Sequence, residues 1–223
     1  MAAIGQVSDA FGWARRSPVV LAVIALASVA GFFVMSRFSL VPVLVRDVLD
    51  AGPTGLGLMT MAGGIGSLVG TLVTDAAGRR LRRGPVLLTA FGLAGTALAG
   101  LGVAPVLGVT LVLAGSITMS MVIYQVTSMT LLQVLAPARM RGRAVAMYDM
   151  VRLGLVPVGS LVAGVLVSTL GVSGVYLIFG ATTLAAVLVA VVVCRPLVLF
   201  ELEPFGEPRT DGDPTERGIS GSA

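Results

Sequence analysis

Residues Thr130–Gly164 read TLLQVLAPARMRGRAVAMYDMVRLGLVPVGSLVAG. The order is an apolar helix end, a tight loop carrying Arg139, Arg141 and Arg143, then a second apolar helix. Pro137 predicts the stop of the first helix, because it has no N–H to donate and biases Ala136 away from the helical region. The three arginines cannot follow the apolar residues into lipid. The positive-inside rule assigns such a loop to the cytoplasmic face. The stretch therefore predicts a membrane protein and its orientation together.

The rest of the chain has the same character. Of its 223 residues, 56% are hydrophobic, 12% are charged and 29 are Gly, and the mean hydropathy is +1.00. So few charges cannot cover a soluble surface, so the expected class is an all-α polytopic membrane protein. Every basic side chain is Arg, and most sit in short connections. The net charge of +4 therefore reads as topology, and no nucleic-acid partner is expected. There is no His, and the one Cys, Cys194, ends an apolar run beside Arg195. Serine–histidine proteolysis, histidine-ligated metals and haem attachment all need residues absent here. No catalytic residue, cofactor or metal is expected, and the chain is predicted not to be an enzyme. Cys194 reads as a packing residue.

Residues 1–17 are expected to form an amphipathic interfacial segment. Ile4, Val7, Phe11 and Ala14 share one helical face, while Trp13, Arg15 and Arg16 suit the headgroup zone. They do not read as a signal peptide. Residues 18–196 are expected to be a bundle of six spans, each able to cross about 30 Å of hydrocarbon. The spans run over Pro18–Val41, Thr54–Thr74, Pro85–Val103, Val106–Val134, Ala144–Leu170 and Gly174–Cys194. Arginines cluster in alternate connections: Arg15 and Arg16, then Arg79, Arg80, Arg82 and Arg83, then Arg139, Arg141 and Arg143, then Arg195. Both termini are therefore expected in the cytoplasm, with the chain in the plasma membrane. Residues 197–223, rich in Pro, Gly and acid, read as a disordered cytoplasmic tail.

GSLVGTLVTDAAG at 66–78 aligns without gaps to GSLVAGVLVSTLG at 159–171. The copies fall in spans two and five, which run in opposite directions. That placement predicts a 3+3 inverted-topology repeat, the build common in secondary transporters. The alternative is chance likeness between two Gly/Leu/Val-rich helices.

TLLQVLAPARMRGRAVAMY followed by GLVPVGSLVAG resembles the joint between the fourth and fifth helices in the second half of a major facilitator superfamily exporter. The nearest group is that of the enterobactin exporters and macrolide efflux proteins. DAFGWARRSPVVLAV resembles the lateral helix leading into that half, and VPVLVRDVLDAGPTGLGLM the turn between its first two helices. DAAGRR at Asp75–Arg80 resembles the superfamily's cytoplasmic loop motif G-x-x-x-D-R-x-G-R-R. It departs from that motif at Ala76, where a basic residue is usual, and at Gly70, one position too far from Asp75. The likeness covers about residues 4–196. It implies half of a major facilitator fold, with a separately encoded N-terminal half or a second copy as partner.

Several residues stand out as carriers of chemistry. Asp149 and Arg152 lie inside span five at i, i+3, where side chains meet. Ionisable groups inside a membrane are functional candidates, and the alternative is a pair that orients the helix. Arg37, near the outer end of span one, faces either the cavity or, by snorkelling, the headgroups. Span four carries Ser116, Ser120, Tyr124 and Thr127 as a stripe, with Gln125 beside it. Such a stripe lines a substrate cavity or bonds neighbouring helices. Asp75, Gly78, Arg79, Arg80, Arg141 and Arg143 form a candidate cytoplasmic gating loop, or simply anchor the inner face. The leading expectation is a transporter in contact with membrane lipid that exports small amphipathic molecules by secondary active transport. The alternative is a half that moves nothing itself and serves only as a partner subunit.

Overall fold

The computed structural model describes residues 17–78, 83–104 and 106–193. The interfacial segment apart from Ser17, the tail, Arg79, Arg80 and Cys194 lie outside them. Most of the described residues are helical, with no strand among them. Five helices are long and apolar enough to cross a membrane.

Helix α1 opens at Pro18, where a missing N–H costs nothing, and is regular over Pro18–Val29. It then changes winding four times: a π turn at Ala30–Val34, a 3-10 turn at Met35–Ser39, an α turn at Val41–Val43 and a second π turn at Leu44–Val48. Pro42 cannot donate to the carbonyl one turn back, which accounts for the change on its N-terminal side. Helical backbone therefore runs past Val41, the expected end of the first span, to Val48. Asp50 and Gly52, both at positive φ, turn the chain into α2, Gly52–Gly78.

Helix α3 spans Arg83–Leu101 and α4 spans Leu107–Leu135. Ala136 follows α4 in extended backbone, φ −79° and ψ 133°, the conformation a following proline imposes. A 3-10 turn at Ala138–Met140 then leads directly into α5, Arg141–Val193.

No loop separates the expected fifth and sixth spans. Helix α5 is interrupted only at Gly171, with φ 68° and ψ 169°. Two contacts show what that interruption does. The backbone carbonyl of Phe32 abuts Gly159, while the Phe32 ring lies 6.5 Å from that of Phe179. A straight helix would hold residues 159 and 179 about 30 Å apart. The chain therefore doubles back at Gly171 into two arms, 141–170 and 172–193.

Close backbone approach organises the packing. A Cβ at Gly31 would strike the Arg152 carbonyl, and one at Gly159 the Phe32 carbonyl, so α1 and the first arm of α5 touch backbone to backbone. Gly66 presses on the Gly115 carbonyl of α4 in the same way. The second arm closes on α3 and on α1, with the Phe33 and Phe179 rings edge to face at 5.1 Å. On α2 and α5 many apolar side chains face outward. Leu68 and Leu161, at matching places in the two similar segments, are 70% and 71% exposed. An apolar surface of this kind suits lipid or another apolar helix.

Candidate functional site

The polar stripe of α4 faces the bundle interior. Ser120, Tyr124, Thr127 and Ser128 are buried, and Ser116 and Gln125 half-buried. Ser116 and Ser120 donate to carbonyls one turn back on their own helix, Val112 O at 2.8 Å and Ser116 O at 2.7 Å. Their protons are thus used locally, as serine hydroxyls in apolar helices commonly are. Tyr124 reaches further and packs its ring 4.7 Å from that of Phe91 on α3.

Opposite Tyr124 stands the first arm of α5. Here Arg152 Nη2 lies 3.2 Å from Asp149 Oδ1, with side-chain exposures of 8% and 33%. A lone arginine at a membrane helix centre costs about 2.5–3.5 kcal/mol, and pairing offsets part of that. The guanidinium also sits 5.9 Å from the centre of the Tyr148 ring. Tyr148 is one helical turn before Arg152, so this third member was legible from i, i+4 spacing, yet the sequence reading passed over it. The hydroxyls of Tyr124, Tyr148 and Ser128 are neighbours, and Arg152 is close enough to act on both phenols. None of the three hydroxyls completes a well-formed hydrogen bond, nor does Arg152 Nε. Four polar atoms are thus fully buried, the three hydroxyls facing one another short of well-formed hydrogen bonds. A buried polar group left without a hydrogen bond costs about 1–3 kcal/mol, so the cluster is a candidate site.

Arg37 does not snorkel. It is 4% exposed and donates from Nη2 to Thr118 Oγ1 at 2.9 Å. Thr118 donates its own proton to Ala114 O at 3.0 Å, so toward Arg37 it is purely an acceptor. The Arg37 carbonyl receives a long bond, 3.5 Å, from the Tyr176 hydroxyl. Two features turn the guanidinium inward. The 3-10 turn at Met35–Ser39 rotates this part of α1, and Ser36 fixes it by donating to Val156 O at 3.1 Å. Thr118 stands about 16 Å along α4 from Leu107. Arg37 therefore reaches the bundle's middle levels rather than the headgroups.

The candidate gating residues lie at the other end. Asp75 is exposed near the end of α2, and Gly78 is that helix's last residue. Arg79 and Arg80 fall outside the described residues. Arg141 is exposed and donates from Nε to Ala136 O at 3.5 Å, capping the end of α4. Arg143 is half-buried.

A bundle of apolar helices enclosing an ion pair, a second arginine and orphaned hydroxyls fits a solute path through a membrane. A family model of transmembrane secretion effectors, of major facilitator type, matches residues 2–204. The chain belongs to that family. This secretion-effector chain is accordingly a multi-pass membrane protein of a transporter family. No curated protein matches it significantly.

Proposed function

We propose that the chain is a six-span, 3+3 inverted-repeat bundle of a secondary active exporter in the plasma membrane, of the enterobactin and macrolide efflux type. It moves small amphipathic molecules outward, has both termini in the cytoplasm and catalyses no covalent chemistry. The observation that carries this reading is the buried Tyr124, Ser128, Tyr148 and Arg152 cluster, which offers unspent hydrogen-bonding groups inside an apolar bundle. The repeat is supported by Gly66 and Gly159, equivalent in the two similar segments, each seated on a carbonyl of a different helix. The bundle works beside a second one, an N-terminal half being favoured over a second copy. Superfamily transporters rock two bundles about a site near the midplane.

The test is efflux from cells making this chain alone, and again with a six-span partner. A panel of drugs and siderophore-like compounds is followed with and without a pH gradient. Export that drops at least tenfold in Arg152→Ala, at unchanged membrane level, is the expected result. Export unaffected by Arg152→Ala would remove the cluster from the path. No export in either setting would leave the partner-subunit role as the better account.

A further inference from the structure

Among the described residues, Arg37 is a buried cation without a counter-ion. Between residues 17 and 193 the acids are Asp47, Asp50, Asp75 and Asp149. Asp47 is exposed beside Arg46, at 3.9 Å, and Asp149 is held by Arg152 at 3.2 Å. Asp50 lies beyond the last turn of α1, and Asp75 near the far end of α2. Among the described residues, the Arg37 guanidinium hydrogen-bonds to one side chain, the neutral hydroxyl of Thr118. A guanidinium presents a fork of N–H donors matched to a carboxylate or similar anion, and in an apolar setting it binds one strongly.

The surroundings add a second element. Phe38, 56% exposed, places its ring 4.4 Å from the Arg37 guanidinium carbon. On the α2 side a Cβ at Gly63 would find only Thr118 Oγ1, at 3.5 Å, and one at Gly64 would meet nothing. The Arg37–Thr118 contact is thus bordered by a glycine on the α2 side and by an accessible aromatic ring. A cation, an acceptor and an apolar ring side by side match one class of molecule.

We propose that Arg37 binds the anionic group of the transported solute, so that the exporter's substrates are amphipathic organic anions with their apolar part against Phe38. The proposal rests on the transporter reading above. Arg152 is excluded from this role because Asp149 already neutralises it. A phospholipid is disfavoured because its phosphate stays at headgroup level, whereas Thr118 is about 16 Å along α4 from its start.

The experiment measures equilibrium binding of 1-naphthoate, and of its uncharged analogue 1-naphthylmethanol, to the purified full chain in a neutral maltoside detergent. The wild-type chain is expected to prefer the carboxylate by about tenfold. Arg37→Gln should bring the two affinities to within about twofold, and Arg37→Lys should keep a reduced preference of about threefold, since a lysine supplies charge without the fork. Arg46→Gln, an exposed arginine away from the site, should behave as wild type. Equal wild-type affinities would overturn the proposal, and so would a preference that survives in Arg37→Gln. If Arg37→Gln does not purify as a monodisperse species, an undiminished preference in Arg37→Lys counts against it equally. Loss of the preference on adding phosphatidylglycerol would assign the site to lipid phosphate and overturn it too. Binding is read without transport, so a chain that prefers naphthoate yet exports nothing would sink the exporter reading and leave only the anion site at Arg37 standing.

Discussion

Arg37 and Arg152 are the same residue type, both nearly fully buried, and the chain treats them in opposite ways. Arg152 has an acid one turn away on its own helix, at 3.2 Å, and a tyrosine ring beneath it. Arg37 has a threonine on a neighbouring helix. In the first case the charge is balanced before anything binds, and the residue serves to hold a polar cluster together. In the second the charge stays open. The difference lies less in the arginines than in which helix each acid was placed on. Local i, i+3 pairing requires no tertiary precision, whereas Arg37 reaches its partner only because α1 is wound irregularly.

Removing the acid should produce the largest effect. Asp149→Ala leaves Arg152 buried and unbalanced, a change that costs about 3–5 kcal/mol at a fully buried pair. Asp149 is one-third exposed, so about 2 kcal/mol is expected here, read as a drop in thermal unfolding temperature in detergent. The double variant Asp149→Ala, Arg152→Leu should recover most of the loss. No recovery would mean that the two do not act as a pair.

Removing Arg37 should do the opposite. Arg37→Gln takes away an uncompensated charge, so stability is expected to stay level or to rise by up to about 1 kcal/mol. A loss above about 2 kcal/mol would show that this guanidinium is as well balanced as that of Arg152, and the contrast between them would fall.

The smallest effect belongs to the hydroxyl that neither arginine claims. Tyr148→Phe removes a buried oxygen that makes no well-formed hydrogen bond and should shift stability by less than about 0.5 kcal/mol. A loss of about 1.5 kcal/mol would mean that a guest already holds it.

Much of this arrangement was legible in the sequence. Pro137 fixed the end of α4, and Ala136 adopts the extended backbone that proline demands. The spacing of Asp149 and Arg152 announced their contact because both sit on one regular helix. What failed to show was whatever depends on irregular backbone. Nothing in AGFFVMSRF says that Ala30–Val34 winds as a π turn, so Arg37 read equally well as an anchor at the headgroups. Gly31 held the clue, since it lets α1 close onto the Arg152 carbonyl, but a glycine among apolar residues does not name its neighbour. The hydroxyls were half legible. Tyr124 stood out in its stripe, whereas its convergence with Tyr148 required knowing how α4 meets α5.

The single glycine that folds α5 back on itself also bears on how the protein is made. With no tether between the arms, the first cannot settle into the bilayer and wait for the second. Residues 172–193 follow directly behind, already joined at Gly171. Two arms joined this tightly are suited to entering the bilayer together, as one hairpin. Lengthening the joint by a few residues would loosen that coupling, whereas replacing Gly171 with a β-branched residue would oppose the positive φ on which the hairpin closes.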